Sequence, residues 1–128
     1  MLTVLLIAGN VCLAQNAKNI IGKWAYVDLH EDSKLDATEK EMAAMLFSQL
    51  KINFRTDNTM SLIMRKTPDN GSYTFDEANE NNIHAVSATG KSMPITIIKL
   101  TENELILKLG QLAAMVLNKV SAEPDPAQ

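Results

Sequence analysis

From Lys51 onward the side chains fall into a period of two, and tight turns interrupt it. Ile52 and Phe54 alternate with Asn53 and Arg55. Met60, Leu62 and Met64 alternate with Ser61, Ile63 and Arg65, and Leu105, Leu107 and Leu109 form one face of a later run. That period belongs to strands with one face buried. The runs are parted by Asp57-Asn58, Asn70-Gly71, Thr89-Gly90-Lys91 and Glu102-Asn103, which are turn-forming pairs and triplets. Short strands joined by tight turns leave no room for the crossovers that parallel strands need, so the sheet is antiparallel. The expected fold is mainly β, a small antiparallel barrel or half-barrel of about seven or eight strands.

The elements follow in order. Strand one spans roughly Lys23–Leu29, with Trp24, Tyr26 and Asp28 on one side. A charged loop, His30-Glu31-Asp32-Ser33-Lys34, leads to a helix over about Ala37–Leu50. Asp36 and Glu39 form a capping box there, and Met42, Met45, Leu46 and Leu50 give an apolar stripe, widened by Ala43 and Phe47. The stripe is expected to pack on the sheet or cover a barrel opening. A hairpin over 51–65 comes next, then a turn at Asn70-Gly71 and strands at Ser72–Asp76, Ile83–Ala88, Ser92–Leu100 and Glu104–Leu109. Pro94 near the start of its strand suits a sheet edge. Leu112, Met115, Val116 and Lys119 have helical spacing, which predicts a short C-terminal helix over Gln111–Val120. Residues 121–128, with two prolines and two acids, read as a disordered tail.

The only tryptophan and one of two tyrosines lie in the stretch Ile20–Asp28. Large aromatics carry the most buried area per residue, so Trp24 is expected to plug the closed end of the barrel. Ahead of this stretch, residues 1–14 carry no charge, and the first charged residue is Lys18. The run is too short to cross a bilayer as a stable helix. It suits the apolar part of a secretory signal peptide cleaved after Cys12-Leu13-Ala14, although Met1-Leu2-Thr3 lacks the usual basic residues. A buried strand over Val4–Ala8 is the structural alternative. The leader places the mature chain outside the cytoplasm, in the periplasm or beyond, with no transmembrane segment. A lipid anchor at Cys12 is a minor alternative, because Val11 and Gly9 stand where a lipoprotein signal has small and aliphatic residues. Without the leader the chain has no cysteine, which suits an oxidising compartment without disulfides.

Composition narrows the function. The formal net charge is −3, which disfavours nucleic acid as a partner, since phosphates need a basic face. Seven Met stand against three Phe, and thioethers fill irregular cores or line adaptable pockets. Ala85–Ser92 resembles a phosphate-binding loop, but Ala85 replaces the first glycine and Met93-Pro94 cannot open the helix that must follow. His30 and His84 have no ligand spacing, and the loop from Asp28 to Asp36 lacks the glycine and closing glutamate of a calcium loop. There is no nucleophile motif, and Glu102 and Glu104 sit in a polar turn. Asn70-Gly71-Ser72 is a formal glycosylation sequon. No catalytic residue, metal site or cofactor is expected.

Three stretches together are similar to a known family. Gly22-Lys23-Trp24 resembles the Gly-x-Trp that opens lipocalins. Phe54-Arg55-Thr56-Asp57-Asn58-Thr59 and Gly71-Ser72-Tyr73-Thr74-Phe75-Asp76 resemble hairpins of small lipocalin-like domains in secreted bacterial envelope proteins. The resemblance covers about residues 20–120. It implies a Gly-x-Trp barrel in which Gly22 and Trp24 are structural, although this chain is shorter than true lipocalins and has a helix after strand one. With the alternating apolar faces, it points to a small hydrophobic ligand held in the barrel interior. The expected lining is Tyr26, Phe54, Leu62, Met64, Tyr73, Phe75, Ile95, Ile97, Leu105 and Leu107. The rival expectation is a protein-interaction or inhibitor module with a solid core, since an eight-stranded barrel can be filled by its own side chains.

Overall fold

The computed structural model describes residues 16–30, 35–64, 68–111 and 113–124. The leader with Cys12, most of the charged loop, Arg65, Leu112 and the last four residues of the tail lie outside the described residues. Eight strands follow in chain order: β1 Gly22–Leu29, β2 Lys51–Phe54, β3 Thr59–Ile63, β4 Pro68–Phe75, β5 Asn82–Ser87, β6 Ser92–Leu100, β7 Glu104–Leu109 and β8 Met115–Ser121. One helix, α1 Ala37–Phe47, lies between β1 and β2. Each strand pairs antiparallel with its sequence neighbour, and β8 returns to β1 to close the barrel. Closure removes the strand edges that would otherwise invite pairing with other chains.

The period of two sets which residues face inward. Ile52 stands opposite Leu62 and Phe54 opposite Met60. Tyr73 faces Ala85, Ile83 faces Ile95, and Ile97 faces Leu107. Leu105 and Leu107 continue the same face onto Leu117 and Met115. These side chains form one buried cluster, with half-buried Leu62 packed against it, and the Phe54 and Tyr73 rings meet edge to face at 5.1 Å.

Several expectations change. The C-terminal helix is instead strand β8. Met115, Val116, Leu117 and Asn118 fit a period of two as well as a helical one. The open place between β1 and β7 can be filled only by a strand, so tertiary pairing overrides the local pattern. Ser121 is the last residue of that strand, so the tail begins later than expected. The segment at 16–20, ahead of β1, is helical. Asn70-Gly71 is not a turn but the middle of β4. Its glycine serves close approach: a Cβ there would lie 2.3 Å from the Val86 carbonyl oxygen on β5. A register shift between Tyr26 and Asp28 inserts one extra residue on β1, so Asp28 does not share the inward face of Trp24 and Tyr26.

The helix also differs. Asp36 does cap it: Glu39 N donates to Asp36 Oδ1 at 2.8 Å, and Asp36 N donates to Glu39 Oε1 at 3.3 Å. The stripe, however, packs only in part, through Ala43, Phe47 and Leu50. Met42, Met45 and Leu46 are 66%, 75% and 45% exposed, while Phe47 is buried. The barrel interior is already filled by its own strands, so the helix rests on the rim and inserts a single ring.

One end of the barrel is sealed around Trp24, which is fully buried. Its Nε1 donates to the carbonyl oxygen of Ile20 at 2.8 Å, tying the 16–20 segment across the opening. Lys119 from β8 places its Nζ 5.0 Å from the Trp24 ring centroid and donates to Asn19 O at 3.1 Å. Gly22 makes this crossing possible, with φ of 136° and space for a Cβ only 2.6 Å from Ser121 O. Tyr73 adds a cross-tie at the same end, its hydroxyl donating to Arg55 O at 2.8 Å.

Trp24→Ala is expected to lower unfolding free energy by about 3–5 kcal/mol, as large-to-small changes in cores do. Urea unfolding measures it, and a loss well under about 1 kcal/mol would mean the ring is not the plug described here. Gly71→Ala is expected to cost about 1–3 kcal/mol by forcing β4 from β5, read as a lower midpoint in the same titration.

Candidate functional site

The other end of the barrel is the mouth. The ends of β1 and β3, the start of β2, the β5–β6 turn and the β7–β8 connection meet there, and α1 lies across part of it. A cleft of about 560 Å³ opens on the β3–β6 side. Its apolar wall includes Met60, Leu62, Ala85 and Met93, and its rim carries Asp69, Ser87, Thr89 and Lys91. The register gives the cause. Gly71 stands between Met60 and Ser87, and Ala85 between Tyr73 and Met93. Ala85 leaves unfilled the volume that larger inward side chains occupy elsewhere, and Gly71 lets β4 lie close against β5 beside it.

The rim is held by its own turn. Ser87 N donates to Lys91 O at 2.8 Å, and Lys91 N donates to Ser87 Oγ at 3.1 Å. The stretch that resembles a phosphate-binding loop is therefore a β5–β6 hairpin, with Gly90 at φ of 89°. A second, apolar groove of about 690 Å³ lies between α1 and the β7–β8 connection, walled by Leu35, Met42, Ala43, Met45, Leu46, Phe47 and Ala113.

Of the ten residues expected to line the interior, Phe54, Tyr73, Ile95, Ile97, Leu105 and Leu107 are buried in the core. Tyr26, Leu62, Met64 and Phe75 are half-buried and pack against it. Only Leu62 among the ten also walls the β3–β6 cleft. Sequence reasoning missed Met60, Ala85 and Met93 as cleft residues. Their inward faces are legible from the period of two, but the gap depends on which small residues become cross-strand neighbours. The methionines divide: Met60 and Met115 are core, Met64 and Met93 marginal, Met42 and Met45 exposed.

A polar seam on the outer wall was also unforeseen. Asn53, Ser61 and Asn70 stand opposite one another across β2, β3 and β4. Arg55 Nη2 donates to Ser61 Oγ at 2.6 Å, and Ser61 Oγ donates to Asn70 Oδ1 at 2.6 Å. Asn53, Arg55 and Ser61 are buried, so this chain of hydrogen bonds ties three strands together. His84 Nε2 lies 3.6 Å from Asp76 Oδ2 on the surface. No group of three or more His, Cys, Asp or Glu able to hold a metal occurs among the described residues. No helix among them is long and apolar enough to cross a membrane.

Two tyrosines are perturbed. Burial, with a smaller contribution from the Asp57 charge, pushes the Tyr73 phenol up to about 12. Burial and then the Asp28 charge raise Tyr26 above its ordinary value. The Tyr26 hydroxyl oxygen is buried and has no hydrogen-bond partner among the described residues. Such an atom costs about 1–3 kcal/mol relative to a paired one.

Known proteins add one comparison. No protein-family model and no curated protein matches the sequence. A solved structure of a DUF4847 family protein from Bacteroides vulgatus is similar, with a TM-score of 0.51 over 82% of this chain and 94% of that one. The two share 14% identity, so the likeness is one of fold alone.

Tyr73 gives a pH prediction. The folded chain holds its proton above the unfolded value near 10. The stabilisation is therefore fully present below that pH and is lost as pH rises through about 12. Phenolate absorbance should show one tyrosine ionising near the upper value in the folded protein, and at the ordinary value in denaturant. Tyr73→Phe should remove that step.

Proposed function

We propose that this chain is a non-catalytic, lipocalin-like binding protein that works outside the cytoplasm and holds a small apolar molecule at the mouth of its barrel. The observation that carries this reading is the apolar cleft of about 560 Å³ beside Gly71 and Ala85. Binding would proceed by burial of apolar ligand surface, with Asp69 and Lys91 at the rim to orient a polar end. The Gly22-Lys23-Trp24 crossing and the closed eight-stranded barrel support the lipocalin-like assignment. The uncharged run over 1–14 supports the location. The site proposed is a shallow one at the rim, because six of the ten residues expected to line a deep cup are packed core. A protein-interaction module with a solid core is the second reading, and the exposed Met42, Met45 and Leu46 favour it.

Native mass spectrometry after incubation with lipid extracts tests the proposal. The expected result is a bound small molecule that is lost, by at least about tenfold in affinity, in Ala85→Phe, which fills the cleft at a stability cost of about 1–3 kcal/mol. Circular dichroism establishes that the variant is folded. No bound species from any extract would sink the reading and favour the interaction module.

A further inference from the structure

The Tyr26 hydroxyl is buried and unpaired among the described residues, and a native structure rarely keeps such an atom without use for it. Its ring packs on Phe47, the centroids 6.1 Å apart. Phe47 is the buried residue of α1, and it also walls the apolar groove of about 690 Å³ beneath that helix. One aromatic ring therefore touches both the tyrosine that carries the orphaned donor and an open apolar groove. The helix itself is lightly held: apart from half-buried Ala43 and buried Phe47, every residue of α1 is exposed.

We propose that α1 is a movable cover over a site for an uncharged, lipid-like molecule bearing a carbonyl group, such as an ester, ketone or amide. The apolar chain lies in the groove between α1 and the β7–β8 connection. Movement of Phe47 lets the carbonyl oxygen accept from Tyr26 Oη. This rests on the reading above that the protein binds an apolar molecule, and adds the polar group it recognises and the way in.

The chemistry selects the class. The phenol is protonated at neutral pH at its ordinary value of 10, and burial and then Asp28 raise it further. It is thus a donor beside a negative charge. A carbonyl oxygen pairs with it without bringing charge. A carboxylate would meet the Asp28 charge, and a plain hydrocarbon would leave the hydroxyl unpaired. Because the donor gains its partner only when ligand is bound, the ligand favours the open arrangement differentially, as a population shift requires.

The test uses the full chain titrated with methyl octanoate, octanoate and octane, followed by amide chemical shifts, in the wild type, Tyr26→Phe and Ala85→Phe. The ester is expected to bind more tightly than the carboxylate and to shift Ala43, Phe47 and Ala113. Tyr26→Phe should weaken ester binding about five- to tenfold and leave octane binding unchanged. Unliganded Tyr26→Phe should be as stable as the wild type or more so in urea, since the deleted hydroxyl has no partner to lose. Equal ester affinity in both proteins would overturn the proposal. So would a clear stability loss in Tyr26→Phe, which would mean the hydroxyl already pairs, for example with a water. Ester shifts confined to Met60, Ala85 and Met93 and abolished by Ala85→Phe would overturn it while leaving the cleft reading standing. No binding of any of the three, with lipid extracts also negative, would overturn both.

Discussion

The barrel depends on the contact between its two ends of chain. β1 and β8 are the first and last strands, and their pairing joins the most distant parts of the sequence among the described strands. The pairings from β2 to β8 follow from short connections within reach early in folding, and β1 meets β2 across α1. Closure brings together Gly22 on β1 with Ser121 on β8, and Lys119 on β8 with Trp24. The 16–20 segment is then fastened over the seal by the Trp24 indole and the Lys119 ammonium. Gly22 is small so that the strands can cross, and Trp24 is large so that the end they leave is filled.

The two ends of the barrel are filled by opposite means. At the sealed end, Trp24, Phe54 and Tyr73 bring bulk and hydrogen-bonding groups that find partners. At the mouth, Gly71 and Ala85 bring almost none, and α1 contributes one ring where a stripe was available. The cleft and the α1 groove both lie at the mouth. The outer seam of Arg55, Ser61 and Asn70 ties β2–β4 together next to the cleft.

Much of this was legible before any coordinates. The alternation in β2, β3, β6 and β7, the Asp57-Asn58 and Thr89-Gly90 turns, the Asp36 capping box and the buried Trp24 all follow from patterns within about ten residues. The capping box is legible because both of its hydrogen bonds span three residues. Turn chemistry misled at Asn70-Gly71, where the dipeptide favours a tight turn and the glycine answers instead to a neighbouring strand. Periodicity misled at Gln111–Val120, where a run of seven residues satisfies both templates. The α1 stripe misled for a third reason: amphipathic spacing indicates a helix, and says nothing of whether apolar surface remains for it to cover.

By itself, then, the sequence determined the antiparallel β class, the inward face of most strands and the helix after the first of them. It did so because side-chain alternation, turn chemistry and capping act over a few residues. Only the tertiary structure decided that the last segment is a strand, that Met42, Met45 and Leu46 stay in solvent, and that Tyr26 is left with an unpaired hydroxyl. It also decided that Gly71, paired with Ser87, and Ala85, paired with Tyr73, come to line one cleft. Each of these depends on which strands meet across the barrel and what volume remains between them, a property of closure that no local stretch of sequence contains.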